Sequence, residues 1–449
     1  MKRIILFRFH KNIRVCKNHI ELLQKYNPDV PIYGLYGGKE KDFAHVKKRL
    51  DPYLKHTYCV RGKTSQWKWK NGDLALLQWY QAYGRKLDFD NDGDLDLVDA
   101  NSGGDPNQGT ACSAAWTNNG VGIFTYEPSR IPCNIFDSGD LNDFGLDVGK
   151  ADSDADPDIA TAVGGVSLPD RLLINRLLFT GIFDDESTRI PQVNEYSNDV
   201  LFVDVDNDVD KDLFVSTGLG LKNRLYINDG TGIYSDQSFR LPNNPYTSYN
   251  PAAADLDGDG DKDIIVGSAN GQPDEYLKND GTGTFTNAIL PSDTEPTNDV
   301  ELVDIDNDGD LDAVLADNGN DHLLINNGLG SFTDQTATRL PTYLENSEDY
   351  TTGDLDNDGD KDLILVIHPP SSAPTTTQKI RTFLNNGLGV FTETTNTMLV
   401  PSNLPSDTNG ARAVTLGDVD NDGDQDLYIG IADLDKPNRQ NRIYINRCA

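Results

Sequence analysis

The sequence has no run of about 18 apolar residues, so no stretch of it reads as a membrane-spanning helix. It also lacks the pattern of a secretory leader. Met1-Lys2-Arg3 is basic, but the apolar Ile4-Ile5-Leu6-Phe7 stops at Arg8, and a leader core needs roughly 7–15 apolar residues. Cysteine is sparse: Cys16, Cys59, Cys112, Cys133 and Cys448 are odd in number and scattered, which excludes a disulfide framework. Basic residues are scarce over residues 88–449, which hold 20 Lys and Arg against 66 Asp and Glu. A segment carrying a net −46 repels phosphate backbones, so a nucleic-acid role is excluded there.

The first 87 residues differ sharply. They hold 19 Lys and Arg against 6 Asp and Glu, with four of the six His and three of the four Trp. Such a break predicts two separately folding segments, 1–87 and 88–449. The acidic one must also answer its own self-repulsion, and bound cations are the direct remedy.

The aspartates are not scattered. D-x-D-x-D-G-D-x-D followed by a short apolar run begins at Asp88, Asp255, Asp304, Asp354 and Asp418. A copy at Asp204 has Val209 in the glycine position, and a worn copy at 150–158 starts with Lys150 and has Ala155 sixth. The starts lie 62, 54, 51, 49, 50 and 64 residues apart. A period near 50 marks a solenoid or a propeller. Each unit reads as a strand, the aspartate loop, an apolar run such as Ile264-Ile265-Val266, a third run such as Leu323-Leu324-Ile325, and a turn such as Asn326-Asn327-Gly328 before a last strand. Asn-Gly and Asp-Gly supply the positive φ of hairpin turns. Four antiparallel strands per unit, repeated radially, predict an all-β, seven-bladed propeller.

The loop has metal-ligand spacing. Side chains at positions 1, 3 and 5 converge, glycine at 6 allows the sharp turn, position 7 offers a carbonyl, and position 9 is again aspartate. The candidate ligands are Asp88, Asp90, Asp92, Asp94 and Asp96; Asp204, Asp206, Asp208, Asp210 and Asp212; Asp255, Asp257, Asp259, Asp261 and Asp263; Asp304, Asp306, Asp308, Asp310 and Asp312; Asp354, Asp356, Asp358, Asp360 and Asp362; and Asp418, Asp420, Asp422, Asp424 and Asp426. At position 7 the carboxylate is expected to point outward. Hard oxygen donors in a flexible ring favour Ca²⁺ over Mg²⁺, and six such loops predict about six calcium ions. Val209 predicts a weaker or distorted site, because a β-branched residue resists positive φ. Lys150 predicts a loop without an ion.

These loops resemble the FG-GAP/VCBS-type repeats of integrin α-subunit propellers and many bacterial surface proteins. The resemblance covers about four fifths of the chain. It implies calcium ions bracing the blades on one face and a non-enzymatic binding or adhesion module, at the cell surface or outside the cell. Its ligand, a protein or a glycan, is expected on the opposite face, where the insertions 369–378 and 395–410 fall. The alternative is a carbohydrate-active propeller, a polysaccharide lyase or lectin. A lyase needs a positioned base, and the acidic segment offers His322 and His368 with no partner visible in sequence.

In the first 87 residues, 3–9 and 31–36 read as strands and 12–26, 41–50 and 72–83 as helices. With Asn71-Gly72-Asp73-Leu74-Ala75-Leu76-Leu77-Gln78-Trp79-Tyr80 and Leu87-Asp88-Phe89-Asp90, this part resembles the opening of a GT-A-type glycosyltransferase. Such enzymes continue into a strand bearing a metal-binding acidic motif. Here the chain runs directly into Asn91-Asp92-Gly93-Asp94. The catalytic half is absent, and glycosyl transfer is not expected. Two further expectations follow. Cys112 and Cys133 flank a hairpin and pair under oxidising conditions. The seam between first and last units is weak, because residues 74–87 are helix-like where a strand is wanted and the last unit reads as three strands.

Overall fold

A computed structural model describes three strands of the first segment and residues 95–99, 114–132, 143–164, 168–175, 182–367, 380–394, 411–431 and 442–444, apart from a few positions within these ranges, 421–424 among them. Two compact units separate at Lys86/Leu87. In the first, Ile5–Phe9, Ile32–Tyr36 and His56–Cys59 form a three-stranded sheet in which each pair is parallel. The expected helices there, and the Cys112–Cys133 pairing, lie outside the described residues.

The second unit is a β-propeller. Five blades have four antiparallel strands, here A to D in chain order. The Asp204 blade is representative: Ser197–Val203, Asp212–Thr217, Arg224–Asn228 and Tyr234–Asp236. Strand B has buried side chains throughout in the Asp204, Asp255 and Asp354 blades. That accounts for its unbroken apolar runs, since a strand covered on both faces loses the alternation of a half-buried one. Strand D is short, with one buried aromatic followed by two exposed residues. It is the outer strand. Neighbouring blades meet through their A strands, which therefore line the axis. Short pairing of Asn318 with Asn346 and Gly319 with Glu345 joins the Asp304 and Asp354 blades into one eight-stranded sheet.

The expectation of seven four-stranded blades is corrected. Among the described residues there are five, flanked by two three-stranded sheets, Leu97–Asp99 with Ala114–Asn118 and Phe124–Tyr126, and Ala411–Gly417 with Asp426–Ile431 and Arg442–Tyr444. An aspartate loop reports one A–B turn and not a complete sheet.

The core is distributed between sheets rather than pooled. Leu213, Val215 and Tyr226 of one blade pack with Ala160, Leu172 and Ile174 of the blade before, and Phe383 and Leu365 pack with Val314, Leu323 and Ile325 in the same way. Burial of each large side chain is worth about 1.5–3 kcal/mol, and every such contact holds two blades at once. Polar ties add direction on the axial side. Asp147 accepts from the Phe202 N–H at 2.8 Å, Asp299 from Tyr350 at 3.0 Å and Asp349 from Val414 at 2.6 Å, each reaching from one A strand to the next.

A second tie recurs at the other end of the blades. The asparagine closing strand C sends its Nδ2 to the carbonyl of loop position 2 in the preceding blade. Asn228 reaches Ala151 at 2.9 Å, Asn279 reaches Val205 at 2.7 Å, Asn326 reaches Leu256 at 2.8 Å and Asn385 reaches Ile305 at 2.7 Å. Asn385 also donates to the Lys361 carbonyl, and its Oδ1 accepts from Gly387 and Gly389. One buried amide thus fixes its own turn and the neighbouring loop. Asn385→Ala is expected to cost about 2–4 kcal/mol, because several buried groups lose partners together. Asn386→Ala, at an exposed position, costs under about 1 kcal/mol. Urea unfolding of the two variants checks the order, and equal losses would refute the tie.

Candidate metal centres

The loops are built from their ninth residue outward. Asp212, Asp312 and Asp362 are fully buried at the start of strand B. One carboxylate oxygen accepts from the N–H of loop position 2 (Val205 3.0 Å, Ile305 3.1 Å, Leu355 2.7 Å). The other accepts from the N–H of the strand C asparagine (Asn228 2.9 Å, Asn326 2.8 Å, Asn385 2.8 Å). Asp426 makes the first of these bonds to Val419 at 2.8 Å, and Asp96 makes the second to Asn118 at 3.0 Å. Burial pushes Asp212 and Asp312 up to about 7 and Asp263 and Asp362 up to about 6, with the nearby loop carboxylates adding to the rise. The bonds to backbone N–H groups oppose the shift without cancelling it.

Position 1 turns the loop. Asp204, Asp255, Asp304 and Asp354 each accept from the N–H of position 6 at 3.0–3.1 Å. Position 5 accepts from the N–H of position 7 at 3.0 Å in the same four loops. Carboxylate oxygens then converge. Those of Asp204, Asp206 and Asp212, of Asp255, Asp257 and Asp259, of Asp304, Asp306 and Asp308, of Asp354, Asp356 and Asp362, and of Asp418, Asp420 and Asp426 lie within 4.8 Å of one another in each set. Asp88, Asp90, Asp92, Asp94, Asp422 and Asp424 lie outside the described residues. Among the described residues the 150–158 loop forms no such set; Arg189 approaches Asp152 at 3.7 Å.

The fit to a cation rests on unsatisfied atoms. Oδ1 of Asp204, Asp206, Asp304, Asp306, Asp354 and Asp420 is sealed from solvent and has no hydrogen-bond partner. A buried carboxylate oxygen left in that state costs several kcal/mol unless an ion answers it. The Asp255 loop differs. The Lys278 ammonium bonds Asp257, and the corresponding strand C residues elsewhere are Ile227 and Ile325.

The position-7 carboxylates stand outside the converging sets, and two of them reach the neighbouring loop. Asp261 and Asp360 do not simply face solvent: they accept from Asn207 at 2.7 Å and Asn307 at 3.0 Å, asparagines at position 4 of the preceding loop. Both asparagines stand at φ 62°, a region that residue type tolerates. In the loop before Asp310 this position is Gly258. Arginines reinforce the same seam. Arg339 pairs with Asp306 at 3.2 Å and donates to the Leu388 carbonyl of the next blade; Arg240 faces Asp206 at 3.8 Å and bonds Thr282.

His322 has a partner that sequence reading missed. Its Nδ1 lies 2.6 Å from Asp317 Oδ2, and Asp317 also accepts from Thr297 Oγ1 at 2.5 Å. Asp317 and His322 flank the short link between strands B and C; His322 faces Leu315 in register, and Asp317 lies two residues further along the same strand. His368 lies outside the described residues.

Position 6 is a further place where the loop backbone takes positive φ. Gly260, Gly309 and Gly359 stand at φ 100–101°, and Val209 is held at φ 81° with its side chain 84% exposed. Nothing buried is gained by the valine, while positive φ costs a non-glycine residue about 1–2 kcal/mol. Val209→Gly is expected to raise the unfolding free energy by about 1 kcal/mol after the extra flexibility of unfolded glycine is set against that relief. A lower urea midpoint for this variant would contradict it.

Comparison with known proteins agrees with the repeat. The FG-GAP-like repeat model matches residues 204–266, 255–315, 304–365 and 371–429. No curated protein matches the chain. Similar solved structures include an Agrocybe aegerita lectin described by its specific recognition of non-reducing terminal N-acetylglucosamine (17% identity, 66% of this chain and 78% of that one, TM-score 0.44). Others are the V. cholerae biofilm matrix protein Bap1 (13%, 66% and 39%, TM-score 0.32) and an endo-arabinase from Bacteroides thetaiotaomicron (14%, 53% and 90%, TM-score 0.30). Likenesses this remote carry no argument about chemistry. Three of the four matches begin at the aspartate loops of Asp204, Asp255 and Asp304, and all four end in the second strand of a sheet, so the chain carries four FG-GAP-like repeats in a β-propeller arrangement.

Proposed function

We propose that the chain is a calcium-stabilised binding propeller, without catalytic activity of its own, that engages a protein or glycan ligand on the face opposite the aspartate loops. The observation that carries the calcium reading is the set of sealed, partnerless Oδ1 atoms at positions 1 and 3. They belong to carboxylates that converge within 4.8 Å. All the donors are hard oxygens, which suits calcium over softer metals. Asp88 to Asp96 would make a sixth site. A loop module of this kind suits the calcium levels outside cells, where we place it.

Binding is favoured over catalysis by His322. Its ring is only slightly exposed and is held on Asp317, which itself is buried. An aspartate on Nδ1 also orients catalytic imidazoles, so it is the slight exposure of this ring, and not the pairing, that supports reading it as a structural residue of the B–C link. The insertions 369–378 and 395–410, proposed to shape the ligand face, lie outside the described residues. Glycosyl transfer by residues 1–87 remains without a catalytic half.

Isothermal calorimetry on chelator-treated protein is expected to find about six calcium ions, with the Asp304 and Asp354 loops tighter than the Asp255 loop, where Lys278 competes. Lys278→Ile, which restores the residue type of Ile325, should strengthen the weak site. Fewer than three bound ions would sink the proposal. In millimolar calcium, Asp308→Ala should lower the melting temperature more than Asp310→Ala, since Asp308 joins the converging set and Asp310 does not. A calcium-dependent glycan array, read alongside an assay for unsaturated sugar products, separates a binding module from a lyase.

A further inference from the structure

We propose that the ring closes through a side-chain latch, Asn118 on the Val419 carbonyl, and that a cation held by Asp418, Asp420 and Asp426 keeps that latch shut. The cation dependence rests on the calcium reading above; the latch itself rests on geometry. Asn118 Nδ2 lies 2.7 Å from the Val419 carbonyl oxygen, across 301 residues of sequence. Val419 is position 2 of the last loop, so the bond repeats the tie that Asn228, Asn279, Asn326 and Asn385 make to the blades before theirs. The first sheet therefore occupies the place of the next blade after the last.

A second contact gives the same register. A Cβ at Gly353 would meet the Gln425 side chain, position 8 of the following loop, and a Cβ at Gly417 would lie 3.1 Å from Leu95, position 8 of the first loop. The first and last described sheets of the unit thus meet at the seam.

The cation dependence follows from where Val419 sits. It lies between Asp418 and Asp420, and its N–H is held by Asp426 at 2.8 Å. These three carboxylates offer oxygens within 4.8 Å of one another. Like charges at that spacing repel unless a cation intervenes, and the residue they would displace first is the one whose carbonyl Asn118 grips. On the far side, the Asn118 N–H is held by Asp96, position 9 of the first loop. One chain of bonds thus runs from the last loop to the first. Elsewhere consecutive blades are also joined covalently by their D–A connections, so a loosened loop cannot part them. At this seam, among the described residues, side chains make the connection.

Hydrogen exchange of the full chain in saturating calcium tests this. Asp420→Asn should speed exchange at least about tenfold in 411–417 and also in 114–118. Asp306→Asn, the same change in the Asp304 loop, should leave 114–118 unaltered. Asn118→Ala, which leaves every loop carboxylate in place, should open both sides of the seam and keeps the latch testable if Asp420→Asn does not fold. The proposal is overturned if Asn118→Ala leaves 411–417 protected, or if Asp420→Asn disturbs its own sheet alone. Calorimetry on the same proteins separates the two claims. Calcium binding with an indifferent seam refutes the cation-held latch and spares the calcium reading. Absent calcium binding refutes that reading, and with it the cation dependence, even where Asn118→Ala opens the ring.

Discussion

Repulsion among the crowded loop carboxylates is the constraint from which the rest of the propeller follows. Five aspartates in nine residues, repeated around one rim, can keep a tight turn only if their charge is answered. The answers are graded by depth. Position 9 is buried and held by two backbone N–H groups, position 1 is held by the N–H of position 6, and position 3 meets an arginine in three loops, the 150–158 loop included. What remains unanswered is a set of sealed oxygens aimed at one another. Hydrogen bonds within the loop shape this site, and a bound cation is the answer proposed for the oxygens they leave over.

The same constraint explains how separate blades become one body. Among the described residues, the loops at 150, 204, 255, 304 and 418 are each gripped from outside by the sheet that follows. An asparagine holds the position-2 carbonyl, and a position-4 asparagine hands a bond onward to the next position-7 carboxylate in two cases. Local charge and global assembly are therefore coupled. A loop that loses its geometry loosens the interface it shares, and a blade that is missing deprives its neighbour's loop of support. Apolar packing between sheets supplies most of the energy, but it is not directional. Registration comes from these polar ties, whose geometry tolerates little error.

Much of this was legible in the sequence. The aspartate spacing located every described A–B turn, the Asn-Gly and Asp-Gly pairs located the C–D turns, and Val209 stands at positive φ as its replacement of glycine implied. The asparagines closing strand C were visible only as turn residues, because their second role depends on a carbonyl some 70–80 residues away. Lys278 on Asp257 was hidden for a similar reason: the two meet only when strand C folds back along the loop. The blade count failed because a loop motif marks one turn and says nothing of whether an outer strand is present. His322 looked isolated because its partner, five residues back, is not its partner in register, which is Leu315.

The central claim is that calcium in the aspartate loops holds the propeller together. Its most direct test is the dependence of unfolding free energy on free calcium. If ions bind the folded ring and not the unfolded chain, stability rises with the logarithm of calcium concentration, with a slope set by the number of ions released. The account predicts a slope of about four to six ions, with magnesium at equal concentration giving much less. An unfolding free energy that is flat from chelator to millimolar calcium would contradict it.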